Sequence, residues 1–363
     1  MNLSDYINLI EPLNEGILVL SQKRWDNIAK PLKSLGKLEK AVSRMAAISQ
    51  KSGKVDISKP ALLVMCGDHG VVSEGVTQTD SSVTKIVADS FQNSETTVTV
   101  MSKFAGVDVF PVDVGINCDT YENKELLPFK VCDRKIKKGT ENILLCNAMT
   151  KDECEKAVLT GIECVKELKE KGYNIIATGE MGIGNTTPSS ILAAIYTGLR
   201  AKEATGKGAG LSKEGYSRKI QVVDKTISHV LNSYKKDDYI GVLASCGGLE
   251  IAALTGVFLG GAVYKVPVVC DGLISTVAAL MAEKIAPLSK NYIFGSHISA
   301  EPSVNAVIKA SGIETYLECK MCLGEGTGAV AVIPLFQMAC DVYNKMSTFE
   351  DFKMENYKDY EKE

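Results

Sequence analysis

The sequence predicts an α/β protein: a mostly parallel sheet flanked by helices and preceded by an N-terminal helical region. Two observations carry this. From position 60 onward, short β-rich runs alternate with amphipathic segments, the pattern of strands joined by crossover helices. The 363 residues are 45% apolar and 23% charged with only 10 prolines, which excludes a disordered or fibrous chain. At about 150 residues per domain, the length fits one large domain and a smaller one.

The elements follow in order. Residues 2–53 read as helices, with Met45, Ala46 and Ile48 on an apolar face and a break at Lys33-Ser34-Leu35-Gly36. The runs 61–66, 107–114, 174–178, 239–243, 266–270 and 292–294 read as strands. Cys154, Ala157, Val158, Gly161, Val165 and Leu168 keep the spacing of a helix with one buried stripe, which feeds the strand at Asn174. The tail 346–363 is rich in Lys, Glu and Asp without apolar period, a surface helix or a frayed end. The α/β part therefore spans 60–336, with no internal repeat and no low-complexity tract.

Charge excludes several partners. With 41 Lys and Arg against 44 Asp and Glu, the net charge of −3 supplies no field for nucleic acid or an anionic membrane. The first residues carry Asp5 and Glu11 and lack the basic start and apolar run of a signal peptide, so secretory export is not expected. The apolar stretches 256–264 and 329–336 fall short of the ~20 residues that span a bilayer. Eleven cysteines scattered through apparent strands and helices suit reduced thiols in the cytoplasm.

The sharpest chemical segment is Gly179-Glu180-Met181-Gly182-Ile183-Gly184-Asn185-Thr186-Thr187-Pro188, between an apolar strand and a helix. Thr187 reads as its N-cap and Pro188 as its first residue. Glycines before a helix N-terminus expose backbone N–H groups, an arrangement suited to phosphate. A tight strand-to-helix turn would use the same glycines, but would not need Glu180 and Asn185. The glycine spacing is not that of a dinucleotide fingerprint, and no glycine loop ends in Gly-Lys-Ser or Gly-Lys-Thr.

A second cluster, Leu323-Gly324-Glu325-Gly326-Thr327-Gly328-Ala329, places an acid between glycines. There the carboxylate sits on a backbone that can pass close to a ligand, and low solvation would raise its pKa toward that of a general base. The alternative is a capping turn with Glu325 in water. Gly67-Asp68-His69-Gly70, Cys246-Gly247-Gly248-Leu249-Glu250 and Gly295-Ser296-His297-Ile298-Ser299-Ala300-Glu301 are further polar clusters behind strands, where an open α/β sheet gathers its ligand crevice. Only three histidines are present, none with ligand spacing, so no metal is expected and His69 and His297 read as structural hydrogen-bonders. The lone Cys319-x-x-Cys322 pair reads as packing residues.

Taken together, these segments resemble the nicotinate-nucleotide:dimethylbenzimidazole phosphoribosyltransferase family, which activates the lower-ligand base of cobalamin-type cofactors. The likeness runs through Lys30-Pro31, Ser34-Leu35-Gly36-Lys37-Leu38-Glu39, Asp68-His69-Gly70, Glu74-Gly75-Val76 and Val112-Asp113-Val114-Gly115. It continues through Gly179-Glu180-Met181-Gly182, Asn185-Thr186-Thr187-Pro188, Gly247-Gly248, Asp271-Gly272, Ser296-His297, Ser299-Ala300-Glu301 and the 323–329 cluster. The resemblance implies a sheet covered by helices on both faces, with a small helical domain formed by 1–59 and 337–363 around the phosphoribosyltransferase domain 60–336. It implies transfer of ribose-5-phosphate from nicotinate mononucleotide to an aromatic base or phenol, with no cofactor and no metal. It also implies a homodimer, or a heterodimer with a paralogue in which one subunit contributes little chemistry.

By the same resemblance Glu325 is the catalytic base. Glu180, Gly182, Asn185, Thr186, Thr187, Lys219 and Ser296 hold phosphate and ribose, with Glu180 as the second acid. Thr79, Val87 and Leu323 line the acceptor-base pocket. The segment 77–87 departs from relatives that carry Ser-Pro or Tyr-Pro there, leaving the acceptor open among benzimidazoles, purines and phenols. Pro302-Ser303 stands where a glycine commonly follows, which weakens a phosphate role for that loop.

Overall fold

The computed structural model describes residues 1–358. Its sheet is parallel throughout, built from β1 (Pro60–Gly67), β2 (Asp108–Gly115), β3 (Cys132–Asp133), β4 (Ile175–Met181), β5 (Val268–Val269) and β6 (Ile293–Phe294) in the order β3-β2-β1-β4-β5-β6. β1 is buried along its whole length, as a strand covered by helices on both faces must be. Met65 of β1 sits opposite Val112 on one side and Glu180 on the other. The chain builds outward from β1 in one direction through β2 and β3, then returns to add β4 to β6 on the other side. Strand order thus reverses between β1 and β4, and the crevice beyond their carboxyl ends is where such sheets bind ligands.

Five strands grow from the apolar runs read in the sequence; the sixth run does not. Residues Tyr239–Cys246 form a helix, whose Asp238 side chain accepts a hydrogen bond from the Gly241 N–H at 3.0 Å. A short run buried all round carries no period that separates strand from helix, and the N-cap decides. The two-residue β3 is too short to leave a pattern.

The predicted amphipathic helix is Lys151–Glu170, and Cys154, Ala157, Val158, Gly161, Val165 and Leu168 are all buried in it. Its partner is Leu249–Tyr264, a helix apolar on every side. The two backbones touch: a Cβ at Gly161 would overlap the Ala253 carbonyl oxygen, and one at Gly256 that of Val158.

The N-terminal helices Glu15–Asn27 and Lys37–Ser49 are separated where the sequence breaks, with Lys33 and Gly36 both at positive φ. They pack on the helix Thr327–Lys345, which runs unbroken through position 336. The Trp25 and Tyr343 rings lie 5.0 Å apart, Arg24 Nε donates to the Tyr343 carbonyl at 3.0 Å, and Ile28 bridges Thr348. The part of the tail at 346–358 holds turns and that bridge but no helix. Residues 359–363 of the tail lie outside the described residues. No helix among the described residues is long and apolar enough to cross a membrane.

Candidate active site

Beyond the carboxyl ends of the strands lies a cavity of about 280 Å³. Its walls come from 76–79 after β1, 180–186 at the end of β4, the 207–211 loop, 271–275 after β5, parts of 297–301 after β6, and 322–325.

One end of the cavity is built for an anion. β4 runs through a glycine turn into the helix Thr186–Thr197, whose N-cap is Asn185. The Asn185 amide donates to Glu180 Oε2 instead of capping its helix, so the helix N-terminus faces the cavity without a side-chain cap. Lys219, 1% exposed on the helix Lys213–Ser233, donates from Nζ to Thr186 Oγ1 at 2.7 Å. Burial lowers the Lys219 ammonium to about 8, with Glu301 opposing the shift. Glu301 is itself raised by burial, and its Oε2 has no hydrogen-bond partner among the described residues. A buried cation beside a helix N-terminus that lacks a side-chain cap attracts phosphate strongly.

The other end presents carboxylates. Gly324, Glu325 and Gly326 have φ of 91°, 59° and 90°, three left-handed residues in succession. The middle one is not glycine, which costs roughly 1–2 kcal/mol. The surroundings enforce it: Gly179 of β4 lies so close beneath that a Cβ there would overlap the Glu325 carbonyl. The Asp271 carboxylate, just after β5, accepts from the N–H groups of Gly326, Gly328 and Ala329 at 3.1, 2.8 and 3.1 Å. Glu325 Oε2 has no hydrogen-bond partner among the described residues. Burial raises the Glu325 carboxyl, a hydrogen bond from the Val98 N–H opposes this, and Asp271 adds to it. Burial and then Asp271 push Glu180 well above the usual carboxylate range.

Glu180, Gly182, Asn185, Thr186, Lys219, Thr79, Leu323 and Glu325 thus line one cavity. Thr187, Ser296 and Val87 do not. Thr187 is fully buried in the first turn of its helix, Ser296 is buried against His297 Nδ1 at 3.0 Å, and Val87 packs on the hydrophobic core from the helix Ser82–Asn93. The helix begins two residues before the predicted start, because Asn185 takes the N-cap position and Thr186 the first turn. Cys319 and Cys322 are not packing residues but exposed, and Cys322 lines the cavity. His69 is the hydrogen-bonder the sequence implied, its Nε2 lying 2.7 Å from Glu250 Oε1. Sequence reasoning missed the cavity roles of Asp271 and the Lys207–Leu211 loop, whereas Gln78 lies in the segment 77–87 read as part of the acceptor wall. A signal for Asp271 existed, since it follows the apolar run 266–270 as Glu180 ends that of β4.

A parallel α/β sheet whose crevice sets a buried lysine and a helix N-terminus opposite paired acids fits an enzyme of the phosphoribosyltransferase class. A family model described as phosphoribosyltransferase matches residues 10–353. The chain is 43% identical over 360 residues to the nicotinate-nucleotide--dimethylbenzimidazole phosphoribosyltransferase of Clostridium acetobutylicum, covering 99% of both chains. It is 44% identical to that of Ruminiclostridium cellulolyticum over 99% of this chain and 100% of the relative. The crystal structure of CobT from Thermus thermophilus superposes with a TM-score of 0.87 at 32% identity, covering 94% of this chain and all of the other. The chain belongs to the nicotinate-nucleotide:dimethylbenzimidazole phosphoribosyltransferase family.

Proposed function

We propose that the protein transfers ribose-5-phosphate from nicotinate mononucleotide to a ring nitrogen of a benzimidazole-type base, giving an α-ribotide and nicotinate for cobamide synthesis. The observation that carries this is the placement of Glu325 on a left-handed turn across one cavity from Lys219 and the Thr186 helix N-terminus. The phosphate seats at the cationic end, with Thr186 and Asn185 toward the ribose. The C1′–pyridinium bond breaks and nicotinate departs as a neutral ring nitrogen, so the leaving group needs no acid and the reaction no metal. The base nitrogen bonds to C1′ from the opposite face with inversion, and its other ring N–H becomes acidic. Glu325 takes that proton.

The two glutamates divide the labour by environment. Burial and Asp271 push Glu180 well above the usual carboxylate range, toward its neutral form, whereas the Val98 N–H favours ionised Glu325. Thr79, Leu323 and Ile274 shape the acceptor wall. The eleven cysteines are all unpaired, as a reducing cytoplasm leaves them. A homodimer is supported by the Thr97–Ala105 helix, which holds Phe104 93% and Val100 60% exposed on one stripe.

Glu325→Gln keeps size but cannot accept the proton. Nicotinate release with an imidazole acceptor should fall by ~10²- to 10⁴-fold while nicotinate mononucleotide still binds. A variant with a near-normal rate moves the base to Glu180. Wild-type protein purified alone and assayed with benzimidazole, adenine and p-cresol should release nicotinate; inactivity without a second chain would make it a subunit of a heterodimer.

A further inference from the structure

Asp271 is 3% exposed and sits at the centre of the site, yet no step of the proposed reaction uses it. Its Oδ2 accepts from the Gly326 N–H, and its Oδ1 from those of Gly328 and Ala329, so one carboxylate ties the Glu325 turn to the first turn of the Thr327–Lys345 helix. Three donors satisfy an ionised carboxylate; a protonated one would lose an acceptor position. Its own backbone is fixed in turn: the Asp271 N–H donates to Ser275 Oγ at 3.1 Å, and Ser275 Oγ lies 2.6 Å from Thr178 Oγ1 of β4. The strained turn therefore hangs from the sheet through this one side chain.

We propose that Asp271 is the positioning residue of the reaction, which holds the Glu325 turn in its left-handed conformation and supplies the negative charge that makes Glu325 a stronger base. This deepens the assignment of Glu325 as base and rests on it. The groups facing Glu325 are Asp271 from the end of β5, Glu180 from the end of β4 and the Val98 N–H from the Thr97–Ala105 helix. His297 Nδ1 lies 3.9 Å from Asp271 Oδ1, and Lys219 and Lys207 line the cavity. Burial raises the Asp271 carboxyl, while His297 and the backbone donors pull it back toward the ionised form.

Two substitutions separate clamp from charge. Asp271→Asn removes the charge and turns its amide toward the Gly326 N–H. The acid limb of the kcat profile should move to lower pH by roughly half a unit or more. Asp271→Glu keeps the charge but takes the carboxylate out of register with the three N–H groups. It should lower kcat by about 10- to 100-fold with the limb near its wild-type position and a smaller change in the nicotinate mononucleotide KM. Glu325→Gln, measured alongside, should lack the limb. A limb retained in Glu325→Gln overturns the base assignment and this proposal with it. A limb lost in Glu325→Gln but unmoved in Asp271→Asn, or wild-type kcat in Asp271→Glu, overturns the role of Asp271 alone. Should Asp271→Asn not fold, Asp271→Glu decides: slow turnover with a retained limb supports the proposal, and wild-type turnover overturns it.

Discussion

Lys219 shows how one side chain links stability to binding. Its ammonium is almost fully buried and lowered to about 8, so an unfolded chain, with Lys near its usual 10.5, binds the extra proton between those values. Stability therefore rises with pH across that window, and below about 8 the full desolvation cost is present. The rise attributable to Lys219 is up to about 3 kcal/mol. Lys219→Met should lack it, and should melt higher than wild type at pH 7 in the absence of substrate. The same variant loses the charge that meets the phosphate, so KM for nicotinate mononucleotide should increase by roughly 10- to 100-fold. Wild-type KM in Lys219→Met would move the phosphate away from Thr186. Titration of the wild type should show KM rising above pH 8 for the same reason.

At the scale of elements, the turn between β4 and its helix is fixed by contact as much as by ligand. A Cβ at Gly182 would overlap the Gly67 carbonyl at the end of β1 and come within 3.4 Å of His69 Nε2. Glycine thus lets the two strand ends lie close at the point where strand order reverses. Gly182→Val should destabilise the fold by about 1–3 kcal/mol, or more if β1 cannot yield, as well as weakening nicotinate mononucleotide binding. Thermal unfolding and calorimetric titration measure the two separately. Weakened binding at wild-type stability would show that the glycine serves the ligand alone.

For the whole molecule, the Thr97–Ala105 helix joins an exposed stripe to the candidate base, because its Val98 N–H favours the ionised form of the Glu325 carboxyl. Covering that helix with a second copy would steady the base. Phe104→Asp should shift the protein from dimer to monomer in sedimentation and lower kcat more than KM. A dimer that persists in the Phe104→Asp variant would put the interface on another face.

Much of this protein is legible in sequence. Apolar runs of β-branched residues mark five strands because burial on both faces leaves them no polar side. The glycine–acid clusters mark the site because a backbone that meets a ligand and a carboxylate that meets a proton need those residue types. The tertiary structure decided the rest. Residues 239–246 became a helix because Asp238 capped it, which no periodicity could announce in a run buried all round. Val87, Thr187 and Ser296 turned from the cavity because their side chains serve packing around it, while Asp271, given no role in the sequence reading, took the centre. A residue's type limits what chemistry it can do. Whether it faces the crevice depends on strand order and helix phase, and these are fixed only when segments distant in the chain pack together.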